Sequence, residues 1–268
     1  MKLAVALMVL SALAILPRTE GQTAEPDQTP PSGSPTSTAP PPAVDRAVSL
    51  KLLLPNLLRD QKHIWTFPAR LAEGQSWIPT AAILGTAAGL MALDPTEGGY
   101  FRRASSFHTF NNIFTGNATL IGTIAAPVSL YGIGLVRRDT KMQRTALLAG
   151  EAVADAEILT SVLKDATGRV RPAAIAVKGN FSDSWFESGG SLIRGSGSFP
   201  SGHSIAAFSV ATVIARRYGN HRWVPYAAYG MAALVGFSRL SLSAHFLSDV
   251  FVGGALGYAI SRFTVLQQ

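Results

Sequence analysis

The sequence predicts an all-α protein. Long apolar runs dominated by alanine and leucine recur between residues 78 and 263, the apolar-polar alternation of strands is nearly absent, and Pro, Gly and charged clusters separate the runs. Hydrophobic residues make up 47% of the 268 positions and charged residues 15%, with a mean hydropathy of +0.24. That composition suits one helical domain with a large apolar surface.

The runs predict helices over residues 78–93, closed by Asp94-Pro95, over 118–136 with a kink at Pro127, and over 145–163, 204–217, 225–237 and 245–263. Together they read as a bundle of about six helices in a domain over 77–268. Ahead of it, residues 44–76 carry a leucine stripe interrupted by Pro55 and interspersed with Lys51, Arg59, Lys62 and Arg70. This amphipathic segment either packs on the bundle or lies on a membrane surface.

The first residues have another character. Met1-Lys2, an apolar run from Leu3 to Leu16, then Pro17-Arg18 and small residues read as a secretory signal peptide over 1–22, because the run is short for a membrane span. Residues 23–43, rich in Pro, Ser and Thr, hold almost nothing to bury and read as a disordered tether. The chain has no cysteine, which rules out disulfides and thiolate metal ligands and is compatible with export. Its formal charge of +7 suits anionic headgroups or phosphorylated substrates. No lysine-rich run or basic strand interleaved with aromatics points to nucleic acid.

If neighbouring helices run antiparallel, four termini meet at one end of the bundle. The helix over 145–163 leads into Lys164 and Arg171, and the helix from residue 204 begins behind Pro200-Ser201-Gly202-His203. The helix over 225–237 leads into Arg239, and the last helix begins with His245 and carries Asp249 one turn on. A helix N-terminus has unpaired amides and partial positive charge, so it binds anions, and Gly202 permits close approach. Lys164, Arg171 and Arg239 add fixed charge to the same place, and the Ser201 hydroxyl a donor. Singly, each cation also reads as a favourable helix C-terminal charge; their convergence is what makes a phosphate cradle. His245 and Asp249, four apart, share a helix face, so the carboxylate can orient the ring; alone the pair also reads as structural. There is no HExxH motif and no dense carboxylate cluster, and no metal site is expected.

Lys164-(six residues)-Arg171-Pro172, Pro200-Ser201-Gly202-His203 and Ser238-Arg239-(five residues)-His245-(three residues)-Asp249 resemble the three-part signature of the type 2 phosphatidic acid phosphatase and vanadium haloperoxidase superfamily. The resemblance implies the helical bundle of that superfamily and a metal-independent phosphohydrolase working through a phosphohistidine. It assigns His245 as nucleophile, Asp249 as its support and His203 as acid and then base. Lys164, Arg171, Ser201, Gly202 and Arg239 become the phosphate cradle. No cofactor is implied for phosphatase chemistry, although vanadate could occupy the same cradle and support halide oxidation.

A phosphorylated lipid, such as phosphatidic acid or a polyprenyl diphosphate, is the expected substrate; soluble phosphoesters and plain phosphate binding are the alternatives. The leader implies an exported, periplasmic, membrane-associated domain. An integral membrane protein with an outward-facing site is the alternative, favoured by the basic clusters Arg137, Arg138, Lys141, Arg144 and Arg216, Arg217, Arg222 at the opposite end. The loop over 173–199, with Phe181, Trp185, Phe186 and Glu187, reads either as a lid or as aromatics packed on the bundle. Glu151, Asp155 and Glu157 read as solvated or hydrogen-bonded inside the bundle rather than catalytic.

Overall fold

The computed structural model describes residues 46–187 and 197–267, and every regular element among them is helical. The expected leader and tether, and residues 188–196 of the long loop, lie outside the described residues. The elements are α1 (Leu53–Trp65), α2 (Phe67–Ala72), α3 (Trp77–Arg103), α4 (His108–Ile113), α5 (Gly116–Val136), α6 (Thr140–Thr167), a 3-10 turn (Pro172–Ala174), α7 (Gly202–Arg217), α8 (Trp223–Ser241), α9 (Leu247–Ile260) and a closing π turn (Ser261–Val265). Helices α3 and α5 to α9 are the six expected from the apolar runs.

Local chemistry sets most boundaries. Thr115 caps α5 by accepting from the Ala118 amide at 3.1 Å, and Asp139 caps α6 by accepting from Met142 at 3.0 Å. Gly168 ends α6 in the left-handed region, φ 49°. Pro55, expected to break its segment, sits in the first turn of α1, where no amide is required.

Several boundaries depart from expectation. Helices α6 and α8 run on to Thr167 and Ser241, so Lys164 and Arg239 lie within them, and α9 starts at Leu247, which leaves His245 ahead of the helix rather than on one helix face with Asp249. Asp94-Pro95 does not close a helix; α3 runs through it to Arg103. The lost rung at Pro95 is offset by tertiary contacts of the extra turns. Asp94 accepts from Arg169 and Ser248, Glu97 accepts from the Leu247 amide at 3.3 Å, and Gly98 lies so close to the Phe246 ring that a Cβ there would stand 2.7 Å from it.

Helix α7 is the hub. Ile205, Val210 and Val213 pack with Leu148, Ala149, Ala152 and Ala156 of α6 and with Ile260 and Val265 at the C-terminal end. Against α9 the contact is backbone to backbone, because Gly253 and Gly257, four apart, face α7. A Cβ at Gly253 would stand 2.7 Å from the Ser201 carbonyl, and one at Gly257 would collide with that of Ile205. This approach lets the Ser201 amide donate to the Asp249 carbonyl at 3.0 Å, which locks the starts of α7 and α9 together.

Helix α1 is packed inside out. Its buried residues are polar: Asn56 donates to Glu151 of α6, and Asp60 accepts from Arg46, which also binds Glu151. Gln61 donates to Asp155 at 2.8 Å. Leu54 and Leu58 face outward, each 64% exposed. The bundle-interior reading of Glu151 and Asp155 therefore holds.

The α7–α9 contact makes a direct prediction. Gly257→Ala should cost about 1–3 kcal/mol by overpacking, whereas Gly122→Ala, where a Cβ meets nothing within 4 Å, should be neutral or slightly stabilising. Thermal unfolding of the two variants checks it.

Candidate active site

The segments that carry the expected residues meet at one end of the bundle. The 3-10 turn after Arg171 is tied to the connection before His245, since the Ala173 amide donates to Ser243 O at 2.8 Å. His245, 2% exposed, donates from Nδ1 to the Ser198 carbonyl at 2.7 Å. A carbonyl can only accept, so this bond fixes the proton on Nδ1 and leaves Nε2 with its lone pair.

Asp249 stands 3.7 Å from Nδ1, near enough to act on the ring by charge but too far for a hydrogen bond. Its Oδ2 accepts instead from the Ser198 hydroxyl at 2.5 Å and the Phe246 amide at 2.9 Å. The expected direct pairing is thus relayed through Ser198. Burial alone would raise the Asp249 carboxyl, but the His245 ring, the Arg169 guanidinium and the Ser198 hydroxyl hold it below the ordinary value. Burial lowers His245 against the pull of Asp249, and Arg171 and Lys164 push the same way, so the ring is neutral.

Around the start of α7 stand the cations. Gly202 leaves room that a Cβ would fill 3.4 Å from Lys164 Nζ, with Glu157 Oε1 3.6 Å from the same point. Ser201, fully buried, caps α7 and accepts from the Ser204 hydroxyl at 2.9 Å. Arg239 is held by its own neighbour Ser238 and by the Phe114 carbonyl at 3.0 Å. His203 donates from Nε2 to the Gly116 carbonyl at 3.0 Å, which leaves Nδ1 as the ring nitrogen able to exchange a proton.

Burial and neighbouring positive charge lower several of these groups. Burial and then Arg171 bring Arg239 down to about 10. Burial and then Arg171 also lower Lys164, against the pull of Glu157 and Asp249. Burial, Arg239, His245 and Lys164 bring His203 down to about 4.

Several contributors were not legible in the motifs. The start of α5 supplies the carbonyls that orient Arg239 and His203. An aromatic cluster seats it, in which Phe237 meets Phe107 and Phe110, and Phe110 stacks on Phe114 at 4.6 Å. Ser198 links Asp249 to His245, and Glu157 sits beside Lys164. Arg169 is the largest omission: 1% exposed, it binds both Asp94 and Asp249. In the loop, Phe181 is buried and Trp185 packs on Arg169 and Phe199, which favours the packing reading for these two; Phe186 is exposed.

The PAP2 superfamily model matches residues 145–268. A lipid A 1-phosphatase of Porphyromonas gingivalis is 28% identical over 165 residues, which is 60% of this chain and 32% of that protein. A phosphatidylglycerophosphatase B of Bacillus subtilis is 38% identical over 108 residues, 37% of this chain and 46% of that protein. The chain thus spans less than half the length of these curated relatives. A crystal structure of a transmembrane PAP2 type phosphatidylglycerolphosphate phosphatase from Bacillus subtilis is 25% identical and aligns over 80% of this chain and 92% of that one, with a TM-score of 0.37.

The cation cluster predicts anion-linked stability and proton uptake. Sulfate at about a hundredfold over its Kd should stabilise the protein by about 2.7 kcal/mol, and Lys164→Ala should weaken this. An anion beside His203 favours its charged form, so sulfate affinity should fall as pH rises from about 4 through 6.5. His203→Asn should flatten that slope, read by thermal shift or calorimetry across pH.

Proposed function

We propose, from the match of residues 145–268 to the PAP2 superfamily model and from the site geometry, that the chain is a phosphatase that hydrolyses a lipid phosphate monoester or diphosphate through a phosphohistidine on His245. The observation that carries the reading is the pairing of a neutral His245, its Nδ1 proton held by the Ser198 carbonyl, with the cations gathered around the start of α7. A free Nε2 beside an anion site is a nucleophile aimed at phosphorus.

In the first step Nε2 attacks phosphorus, the bond from phosphorus to the leaving oxygen breaks, and protonated His203 gives its proton to that oxygen. In the second step water attacks the phosphohistidine and the P–N bond breaks. His203 takes the proton from the water, and inorganic phosphate leaves. Charge building on the equatorial oxygens is met by Lys164, Arg171, Arg239 and the Gly202 amide, with the Ser201 hydroxyl beside them, so neither step calls for a metal. The imidazolium formed at His245 is stabilised by the Asp249 carboxylate. His203 is neutral in the empty site, and a bound phosphate dianion supplies the charge that draws a proton onto it.

A lipid substrate is supported by the exterior. Helices α3 and α5 are each long and apolar enough to cross a membrane, and only 11% of the apolar window of each is buried, unlike the core helices of soluble proteins. Outward-facing Leu54 and Leu58 on α1 extend that surface. The relatives are named for lipid phosphates. We read α3 and α5 as lying in a bilayer, with the basic corners on the cytoplasmic side and the site facing out.

Detergent-solubilised protein, without added metal, should release phosphate from phosphatidic acid or a polyprenyl diphosphate in preference to p-nitrophenyl phosphate, and His245→Ala should abolish turnover of all three. Full activity in His245→Ala would sink the phosphohistidine. Equal or better use of the aryl ester would replace the lipid reading with a broad phosphoesterase. His203→Asn should cost about 10²–10⁴-fold on the alkyl lipid phosphate; with the aryl ester, whose leaving group departs without a proton, the loss should fall on the second step, so a burst of p-nitrophenol should precede slow turnover.

A further inference from the structure

We infer that Arg169 is a positioning residue for the nucleophile, acting on His245 through Asp249. The inference rests on the reading of His245 as nucleophile and concerns a side chain at one of the six unspecified positions of the first motif.

The geometry is specific. Arg169 lies with its guanidinium between the Trp185 and Phe246 rings, 4.2 and 4.1 Å from their centroids. Within that slot it donates from one terminal nitrogen to Asp249 Oδ1 at 2.5 Å and Ser248 Oγ at 2.8 Å, and from the other to Asp94 Oδ2 at 2.7 Å. Its Nε points to the Ser184 hydroxyl at 3.3 Å. Asp94 is held in turn by the Ser248 amide at 3.1 Å and the Ser248 hydroxyl at 2.5 Å. All three guanidinium nitrogens are engaged within the protein, so this cation is committed to the carboxylates and not to a substrate phosphate. Two stacked rings and two carboxylates leave the guanidinium one orientation.

That orientation dictates where Asp249 points. With Oδ1 on Arg169, Oδ2 turns to the Ser198 hydroxyl and the Phe246 amide. Ser198 is the residue whose carbonyl takes the His245 Nδ1 proton. The Arg169 carbonyl also accepts the Ser198 amide at 2.7 Å, so a single residue grips both ends of the relay. A lysine lacks the planar fork that reaches two carboxylates at once. Titratable groups facing the pair are Asp94 and Glu97 from α3, Lys164 from α6, Arg171 beyond it, and His245. Of these, Asp94 shares the guanidinium with Asp249, and Glu97 works against the Asp249 charge.

Removing Arg169 alone would strand two buried carboxylates and risks unfolding the protein, so the test removes one carboxylate with it. Asp94→Asn serves as reference, and Asp94→Asn combined with Arg169→Gln is the probe; both are first shown to be folded by sulfate-dependent thermal shift. Against phosphatidic acid the combined variant should lose about 10- to 100-fold in kcat, as outer-shell partners typically do, with KM within about twofold of the reference. Without its cation, Asp249 is easier to protonate, so the acid limb of the kcat profile should move to higher pH. Added to Asp249→Asn, the same pair of changes should cause little further loss.

A folded combined variant that keeps the kcat and acid limb of the reference would overturn the inference, as would a loss confined to KM. Wild-type phosphate release that disappears in His245→Ala keeps the underlying reading intact in either case. Activity surviving in His245→Ala would remove that reading and this inference together.

Discussion

A carboxylate with no exposure to water, Asp249, is the constraint around which this end of the molecule is arranged. An isolated buried charge would shed its ionisation, so every neighbour must supply a donor or a positive charge. Arg169 supplies the charge, Ser198 and the Phe246 amide supply donors, and the His245 ring stands behind them. Each contact recruits a different stretch of chain. Arg169 brings the segment after α6 and, through Asp94, the last turns of α3. Ser198 brings the end of the long loop, and Phe246 brings the start of α9. The pocket is held by its charge network as much as by apolar packing, which explains how a helix continues through Pro95.

The cradle beside it obeys the opposite logic. Lys164, Arg171 and Arg239 are gathered with partial counter-charge from Glu157 and from carbonyls, and burial followed by the nearby Arg171 charge lowers the pKa of Lys164 and of Arg239. A protein tolerates such an arrangement when the missing anion arrives as ligand, since binding then relieves repulsion already stored in the fold. His203 shares that field. Burial and then the neighbouring charges bring it down to about 4, and a bound anion would raise it again.

The six bundle helices were legible because alanine and leucine runs bounded by caps and glycines leave little choice of secondary structure. The convergence of Lys164, Arg171, Ser201, Gly202, His203, Arg239, His245 and Asp249 followed from antiparallel order alone. What escaped was set by tertiary contact. Asp94-Pro95 carries the local signal of a helix end, and that signal is overridden by bonds to residues 75 and 154 positions away in sequence. Arg169, two residues before Arg171, reads as one more surface cation, and only the stacked Trp185 and Phe246 reveal it as buried. Ser198 is one serine in a loop full of them. The short helix α4 and the carbonyls that follow it have no periodic pattern to announce them.

The polarity of α1 bears on where the molecule resides. In water, an amphipathic helix buries its leucines and exposes its charges; here Asn56 and Asp60 are inside, joined to Arg46 and Glu151, while Leu54 and Leu58 face out. That inversion is favourable where the surroundings are apolar, since ionisable groups then pair within the bundle and leucine meets lipid. Ile121, Ile124 and Val128 of α5 also lie exposed along one helix, as the proposed bilayer contact requires. Basic residues gather in the α5–α6 and α7–α8 corners, opposite the ends where Gly116, Lys164, Gly202 and Arg239 lie. With those corners on the cytoplasmic side, a lipid phosphate headgroup in the outer leaflet would meet the cradle at the level where its own charge lies. Three features together thus support the proposed substrate, a phosphate carried on a membrane: an apolar exterior, a flanking helix with outward leucines and a cation cluster at one end of the bundle.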